Sequence, residues 1–398
     1  MNLSTAARAV RGSAIRDLLA LTAPGRAGAT PVISLAGGLP APDLMPRERI
    51  AAAAAAVLTD PSAIQYGETA GLASLRTVLV DHETARCGRP VARVVVTTGS
   101  QQALDLVARA VLDPGDPVVV EDPAYVGALQ AFQAAGATLH PVPLDTGGMR
   151  VDLLEHRLRG GLRPRLVHTV PTFHNPRGVT LAAQRRGHLA ALAEEFGFLV
   201  VEDDPYDLLS FDGASPPPVA AHTDRVVRLG SASKVLAPAL RIGWLHGPPE
   251  LTAAVERLKQ CTDLCTSSLT QAVTADLLAD AGWFDAHLRH VRAAVAGRAR
   301  AFTAAVAQHL PGATCSVPAG GMFCWLDLPG VDTTALLPRA LDHGVGVVPG
   351  SAFAVAEPAP SAIRCCYASH PAPVITEAVR RLARAVSRRA PRALRAGT

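Results

Sequence analysis

Lysine is almost absent from this chain, although positive charge is not. Of its 38 basic residues only Lys234 and Lys259 are lysines, and the other 36 are arginines. Arginine stays protonated at any working pH and cannot add to a carbonyl, whereas a lysine amine can lose its proton and form a Schiff base. Chemistry that needs a side-chain amine therefore has two candidate positions, Lys234 and Lys259.

Other features are also scarce, and each scarcity excludes a class of protein. Charged residues make up only 18% of the chain and hydrophobic residues 49%, which is typical of a compact enzyme and not of a disordered protein. The net charge of +4 is small for 398 residues, and no basic block is interleaved with aromatics, so nucleic-acid binding is not indicated.

Long hydrophobic runs are missing as well. The longest apolar run, residues 50–58, is mostly alanine and is far shorter than the roughly 20 residues of a membrane span. The N-terminus lacks the apolar core and cleavage site of a signal peptide. We therefore predict a cytoplasmic protein that binds no membrane.

The seven cysteines are scattered, and their number is odd. Cys261 and Cys265 share a helical face, and Cys365 and Cys366 are adjacent, but neither pair has a second pair of ligands at metal-binding spacing. We predict that all seven are reduced thiols and that the chain holds no metal.

Apolar segments alternate with amphipathic segments over most of the chain. The predicted strands are residues 94–98, 117–121, 165–170, 198–202, 225–229 and 242–246. The predicted helices among them are residues 101–112, 125–135, 181–196 and 250–262. Near-continuous apolar strands separated by helices favour an α/β fold with a mostly parallel sheet that helices cover.

The pattern predicts three segments along the chain. Residues 1–45 form an N-terminal arm with a short helix at residues 13–20 and a brief strand at residues 32–35. Residues 46–280 form a large domain around the sheet. From residue 281 a long helix and shorter elements replace the alternation, which predicts a smaller C-terminal α+β domain at residues 281–398.

Lys234 lies in the segment R-L-G-S-A-S-K-V-L-A-P-A-L-R-I-G-W. Ser231 and Ser233 precede it, and Arg241 follows seven residues later. Two hydroxyls and a guanidinium are suited to bind phosphate, and a lysine beside a phosphate site indicates pyridoxal 5'-phosphate. The alternative is a surface lysine in a serine-rich loop.

A second phosphate candidate is the segment T-T-G-S-Q-Q-A-L-D-L. A strand ends there and a helix begins at once, so free backbone N–H groups and the helix dipole favour an anion. Ser100 would equally serve as a plain helix N-cap. Tyr125, in E-D-P-A-Y after the next strand, either stacks on a flat cofactor or merely packs.

Two further segments carry groups that a pyridoxal ring requires. P-T-F-H-N-P-R-G holds Asn175 before a proline, where its amide can bind a phenolate oxygen, although N-P alone is an ordinary turn signal. V-V-E-D-D-P-Y ends a buried strand, with Asp203 three residues before Tyr206. An acid against the pyridine nitrogen keeps the ring electron-withdrawing. The alternative is a group of solvated acids at a strand end.

Together these motifs resemble those of fold-type I pyridoxal-phosphate-dependent aminotransferases of class I/II. The resemblance is greatest to the branch with the 2-aminoadipate and kynurenine aminotransferases and the aminotransferase-like half of certain transcription regulators. It covers essentially the whole chain, and its further motifs are S-A-I-R-D-L-L, S-L-A-G-G-L-P, Q-Y-G, G-G-M-F-C-W and I-R-C-C-Y. Each motif is modest, whereas their order and spacing are specific.

The resemblance assigns roles around the coenzyme ring. It implies that Lys234 is the Schiff-base lysine and proton shuttle, and that Asp203 pairs with the pyridine nitrogen. Asn175 and Tyr206 would bind the ring oxygen, and Tyr125 would stack on the ring. The residues that it implies for the phosphate are Ser100, Gln101, Ser231, Ser233 and Arg241.

The resemblance also implies how substrates and a second subunit are bound. Arg364 would bind the α-carboxylate bidentately, with Gly38 contacting it through backbone and Asn175 close by. Arg16, in the arm, sits where relatives can meet the distal group of the substrate. Tyr66, in Q-Y-G, would reach the phosphate of the neighbouring subunit, which makes a homodimer part of the mechanism.

One motif departs from the usual pattern. Relatives commonly have Q-N-P-T-G where this chain has H-N-P-R-G. The departure either adds a base, His174, and a cation, Arg177, near the pocket, or it is a neutral surface change.

The predicted activity is transfer of the amino group of an L-amino acid to a 2-oxoacid. The alternative is a pyridoxal-phosphate-dependent elimination, replacement or cyclisation in a specialised pathway, because small differences in the pocket decide the outcome. A ligand-sensing regulator is not favoured, since only the short arm precedes the predicted coenzyme domain.

Overall fold

The computed structural model describes residues 31–387 and the isolated positions 2, 8 and 12. Its helices are α1 Arg47–Val57, α2 Ala73–Cys87, α3 Ser100–Val111, α4 Val126–Ala134, α5 Val151–Arg159, α6 Ala183–Phe196, α7 Pro249–Asp263, α8 Ser268–Ala279, α9 Ala281–His309, α10 Thr333–Asp342 and α11 Ala372–Ser387. Within these residues no helix is both long and apolar enough to cross a bilayer. The predicted helix at residues 13–20 lies outside the described residues.

The strands form one large sheet and two small ones. They are β1 Ile33–Ser34, β2 Val95–Thr97, β3 Pro117–Asp122, β4 Thr138–Asp145, β5 Gly148–Met149, β6 Leu166–Thr169, β7 Leu199–Asp203, β8 Val226–Ser231, β9 Gly243–His246, β10 Phe323–Asp327, β11 Val345–Gly346, β12 Val348–Pro349 and β13 Ala362–Cys366. The large sheet has eight strands in the order β2-β9-β8-β7-β6-β3-β4-β5.

The large sheet is mostly parallel, as predicted. Strands β4, β3, β6, β7 and β8 run parallel to one another, whereas β5, β9 and β2 are antiparallel to their neighbours. Side chains of β3 alternate between two cores, with Val118 and Val120 in one and Val119 in the other. Helices α3, α4 and α7 contribute to the first core and α5 and α6 to the second. The sheet is therefore covered on both faces, which requires the continuous apolar strands of the sequence.

The C-terminal third contains a three-stranded antiparallel sheet in the order β10-β13-β12. Strand β1, at the end of the predicted arm, pairs in parallel with β11 of this third. This pairing joins segments more than 300 residues apart in sequence. Gly38 follows β1 and accepts a hydrogen bond from Lys234, directly after the end of β8. The predicted division at residues 45 and 280 stays a prediction.

Strand β4 was not among the predicted strands, and its sequence explains why. The segment T-L-H-P-V-P-L-D contains two prolines, which normally argue against a strand because proline donates no hydrogen bond to a sheet. The two prolines are tolerated because β4 lies near the edge of the sheet. On its outer side β4 has only the short strand β5, which pairs with the last two residues of β4.

Candidate active site

A cavity of about 700 Å³ opens where the parallel strands end at their carboxyl edge. Strands β7 and β8 are parallel neighbours in which Asp203 pairs with Leu229, so Asp203 and Ser231, their last residues, lie at the same edge of the sheet. Twelve of the fourteen predicted site residues line this cavity: Gly38, Ser100, Gln101, Tyr125, Asn175, Asp203, Tyr206, Ser231, Ser233, Lys234, Arg241 and Arg364. The other two are Tyr66 and Arg16.

Lys234 closes a short helical turn, Ala232–Lys234, directly after β8. Its Nζ donates a hydrogen bond of 2.9 Å to the carbonyl oxygen of Gly38. Burial lowers the pKa of the Lys234 amine to about 8, and the nearby guanidiniums of Arg364 and Arg241 act in the same direction. At neutral pH more of this amine is therefore unprotonated than in an exposed lysine, which favours a nucleophilic role.

Asp203 is buried, with 2% of its surface exposed. Its Oδ2 lies 3.8 Å from Nε2 of His168, and its Oδ1 has no hydrogen-bond partner among the described residues. A buried carboxylate oxygen without a donor is costly to maintain. The cavity side of Asp203 is therefore suited to a ligand that presents an N–H donor.

The segment from Thr98 to Gln101 is shaped to hold an anion. Gly99 has a φ of +85°, and a Cβ there would lie 2.5 Å from Nη2 of Arg241, so only glycine fits. Ser100 and Gln101 are the first residues of α3, and their backbone N–H groups have no acceptor within the helix. The N–H groups, the helix dipole and Arg241 are therefore suited to an anion such as phosphate.

Arg364, on β13, enters the same cavity from the smaller antiparallel sheet. Its guanidinium is stacked between the rings of Phe323 and Phe353, with its carbon 4.4 Å and 4.9 Å from their centres. It donates to the Asn175 side-chain oxygen at 2.9 Å and to the carbonyl oxygen of Ala36. Burial lowers the pKa of Arg364, but an arginine at this position remains charged. This fixed and buried guanidinium is suited to a carboxylate.

Two tyrosines complete the wall of the cavity. The Tyr125 hydroxyl donates to Oε1 of Gln101 at 3.2 Å, which ties the ring to the start of α3. Tyr206 is buried with its ring edge-on to Phe323, and burial raises the pKa of its hydroxyl. Tyr206 therefore enters the cavity as a neutral hydrogen-bond donor.

Of the two remaining predicted residues, the structure describes only Tyr66. Tyr66 is 78% exposed and does not line the cavity of its own chain. Arg16 lies outside the described residues.

Burial contradicts the surface alternative for His174, which adjoins the lining residue Asn175. It is 1% exposed, so it is not a surface change, and it does not line the cavity. Its Nε2 lies 3.0 Å from the buried carboxylate of Glu121. Burial alone would raise the pKa of Glu121, but the neighbouring imidazole lowers it overall. Arg177 is also outside the cavity, with its guanidinium over the ring of Trp325 at 5.9 Å.

Several lining residues were not singled out from the sequence. Phe323 lies in the G-G-M-F-C-W segment, so a motif was present, but its role as a support for Arg364 depends on the pairing of β10 with β13. No local signal marks Val126 or Gln130, which also line the cavity.

One group of metal-ligand types occurs among the described residues, away from the cavity. Atoms of Glu83, Cys87 and His246 lie within 4.8 Å of one another. The Glu83 carboxylate already receives the indole N–H of Trp244 at 2.7 Å and lies 3.3 Å from the Arg228 guanidinium. Burial raises the pKa of Cys87 to about 12, so its thiol stays protonated and is a poor ligand.

Comparison with known proteins agrees with this geometry. The family model for aminotransferase class I and II matches residues 30–382. The chain belongs to that family. It is 39% identical to aromatic-amino-acid aminotransferase 1 of Thermococcus litoralis, over 96% of this chain and 93% of that protein. It is also 39% identical to the 2-aminoadipate transaminase of Thermus thermophilus, over 95% and 94% of the two chains.

A solved structure shows the same fold for this aminotransferase. The kynurenine aminotransferase of Pyrococcus horikoshii, solved with PMP, matches with a TM-score of 0.90 and 39% identity over 96% of each chain. The predictions of an aminotransferase and of pyridoxal phosphate as its coenzyme are confirmed, and the elimination, replacement or cyclisation alternative is not favoured. The cavity suits that coenzyme, because it offers both an anion-binding helix start and a buried acid with an unpartnered oxygen.

Proposed function

We propose that Lys234, Asp203 and Tyr206 are the catalytic residues of this aminotransferase. When bound, pyridoxal phosphate supplies an aldehyde that reacts with amines and a ring that withdraws electrons from the Cα of the substrate. The observation that carries the proposal is that an acid with a free acceptor oxygen and a lysine with a lowered pKa share one cavity. These are the two groups that the chemistry requires at opposite ends of the ring.

The other lining residues would orient the coenzyme. Asp203 accepts a hydrogen bond from the protonated pyridine nitrogen. The hydroxyl of Tyr206 and the side-chain amide of Asn175 donate to the ring oxygen, since the Asn175 carbonyl is already engaged by Arg364. Tyr125 stacks on the ring. The phosphate is held by Ser100, Gln101, Ser231, Ser233 and Arg241.

Lys234 would move the proton that is exchanged in the reaction. Its amine is held beside the Gly38 carbonyl oxygen, and both residues line the cavity. With substrate bound, the unprotonated Nζ of Lys234 would take the proton from the substrate Cα and hold it for transfer within the cavity. No other lysine lines the cavity among the described residues.

The charges of the cavity favour an amino acid with an apolar or aromatic side chain. The cations that line it are Lys234, Arg241 and Arg364, and each already has a role toward coenzyme or α-carboxylate. The lining also includes Leu39 and Val126, which offer apolar contact. An acidic acceptor such as 2-oxoglutarate would need a further cation, and Arg16 of the arm is our candidate for it.

We further propose a homodimer in which Tyr66 reaches the active site of the neighbouring subunit. Its 78% exposure, together with that of Ile64 at 74%, leaves an apolar surface that a second copy would cover. Sedimentation of the purified protein as a monomer would contradict this.

A cytoplasmic location is proposed because none of the seven cysteines forms a disulfide.

A half-reaction tests the proposed function. The correct amino acid alone, without a 2-oxoacid, is expected to transfer its amino group to the coenzyme in one stoichiometric round. Addition of 2-oxoglutarate or pyruvate should then restore the starting absorbance spectrum. A spectral screen of amino acids is expected to favour apolar and aromatic side chains. Consumption of the amino acid through many turnovers without a 2-oxoacid would show a lyase or cyclase instead.

Arg364→Ala is expected to raise the KM for the amino acid roughly tenfold to a thousandfold, because a buried bidentate contact to the carboxylate is lost. The matched control is Arg177→Ala, which removes a half-buried guanidinium outside the cavity and should leave KM near that of the parent. Steady-state kinetics with coenzyme in excess makes the measurement. An unchanged KM in Arg364→Ala would assign the carboxylate to another arginine.

A further inference from the structure

Lys259, the second of the two lysines, is fully buried near the end of α7. Its Nζ donates to Oδ1 of Asp263, one helical turn later, at 2.7 Å. A buried ammonium is costly unless it is paired, so this contact fixes the position of the Asp263 carboxylate. An arginine would bring five N–H donors to a place where Asp263 is the acceptor, which gives a physical reason for lysine here.

The second oxygen of Asp263 connects α7 to the turn before α3. Oδ2 accepts from the Thr98 hydroxyl at 3.0 Å and from Nε2 of Gln102 at 2.7 Å. The side-chain oxygen of Gln102 in turn accepts from the backbone N–H of Thr98 at 2.7 Å. Asp263 and Gln102 therefore hold Thr98 at both its backbone and its side chain.

Thr98 borders the proposed phosphate-binding arrangement. Its carbonyl oxygen accepts from Nη2 of Arg241 at 2.8 Å. Gly99 follows it with a positive φ, and the N–H groups of Ser100 and Gln101 come next. A shift of Thr98 would therefore displace the guanidinium and the N–H groups together.

We propose that Lys259 is a positioning residue for phosphate binding, acting through Asp263 and Thr98 on Arg241 and the start of α3. The proposal rests on the proposed role of Arg241 and α3 toward the phosphate. Lys259 does not line the cavity and so touches neither coenzyme nor substrate. The two lysines of the chain would then act on the two ends of one ligand, Lys234 on its aldehyde and Lys259 on its phosphate.

Binding to the coenzyme-free protein tests this role, with three ligands. Lys259→Met is expected to weaken binding of pyridoxal phosphate and of inorganic phosphate about tenfold, the effect of one charge-assisted hydrogen bond. Binding of pyridoxal, which lacks the phosphate, should stay within about twofold, because only the phosphate contacts shift. Absorbance measures the binding of pyridoxal phosphate and of pyridoxal. Binding of inorganic phosphate is measured by its competition with pyridoxal phosphate. Lys259→Arg should not restore phosphate binding.

The matched control is Arg298→Met, which removes a buried cation paired with Asp43 outside this network. It is expected to leave the ratio of pyridoxal phosphate to pyridoxal affinity unchanged. Equal losses for the two ligands in Lys259→Met, or no loss for either, would overturn the proposal. Should Lys259→Met fail to fold, Gln102→Leu cuts the same network without stranding a charge and must show the same selective loss.

Arg241→Ala separates a failure of this inference from a failure of the proposed phosphate site. A phosphate-selective loss in Arg241→Ala without one in Lys259→Met would overturn the positioning role alone. If Arg241→Ala shows no selective loss, the phosphate is bound elsewhere and both proposals are wrong.

Discussion

Lys234→Ala is expected to reduce turnover by more than about a thousandfold, because nucleophile and proton shuttle are lost together. The variant should still bind coenzyme, since the phosphate contacts and Asp203 are intact. Turnover and bound coenzyme are measured on the same preparation, by product formation and by absorbance. Retained turnover would mean that another amine does the chemistry.

Lys234→Arg is the matched control for this prediction. It keeps a cation at the position but cannot supply a free amine at working pH, so it should be as inactive as the alanine variant. Reduction of the parent enzyme with borohydride, followed by peptide mapping, should label Lys234. Label at Lys259 would refute the assignment, and its burial against Asp263 gives the reason to expect none.

Asp203→Asn is expected to lower turnover by at least about a hundredfold while coenzyme remains bound, because an amide stabilises a protonated ring nitrogen poorly. The oxygen that has no partner in the described structure would then no longer carry the charge that the ring needs. Single-turnover kinetics with the amino acid measures the loss at the proton-transfer stage. Activity within a few-fold of the parent would place the partner of the pyridine nitrogen elsewhere.

The chain offers a close control one residue later. Asp204 is equally buried, but it bonds to Thr172 at 3.0 Å and lies 3.4 Å from Arg228, outside the cavity. Burial, followed by the charge of Asp207, raises the pKa of Asp204 to about 7. Asp204→Asn is therefore expected to leave turnover near that of the parent. A loss equal to that of Asp203→Asn would indicate general damage to the strand end.

Much of the site could be predicted because it follows strand ends. Asp203 comes directly after L-V-V-E and Ser231 directly after V-V-R-L-G, runs whose apolar character marks buried parallel strands. Carboxyl ends of parallel strands share one edge of a sheet, so polar residues there meet whatever lies between them in sequence. Ser100, at the start of the helix after β2, follows the same logic.

Interactions between distant segments could not be predicted in this way. Lys259 and Asp263 are four residues apart, a spacing that is typical of an exposed ion pair on a helix. In the structure Lys259 is instead buried, where α7 packs against α3. His174 pairs with Glu121, which lies 53 residues earlier, and no local pattern links the two.

The sequence alone thus determines which residues can do the chemistry and which edge of the sheet they reach, because residue type and apolar periodicity are local properties. The tertiary structure alone decides how these residues are held. Arg364 depends on the pairing of β13 with β10 and on Asn175, 189 residues away. Gly38 meets Lys234 across 196 residues, and it follows a strand, β1, that pairs with β11. Such contacts depend on how strands and helices pack against one another. The packing energy is a sum over side chains from many distant segments, so no short stretch of sequence determines it.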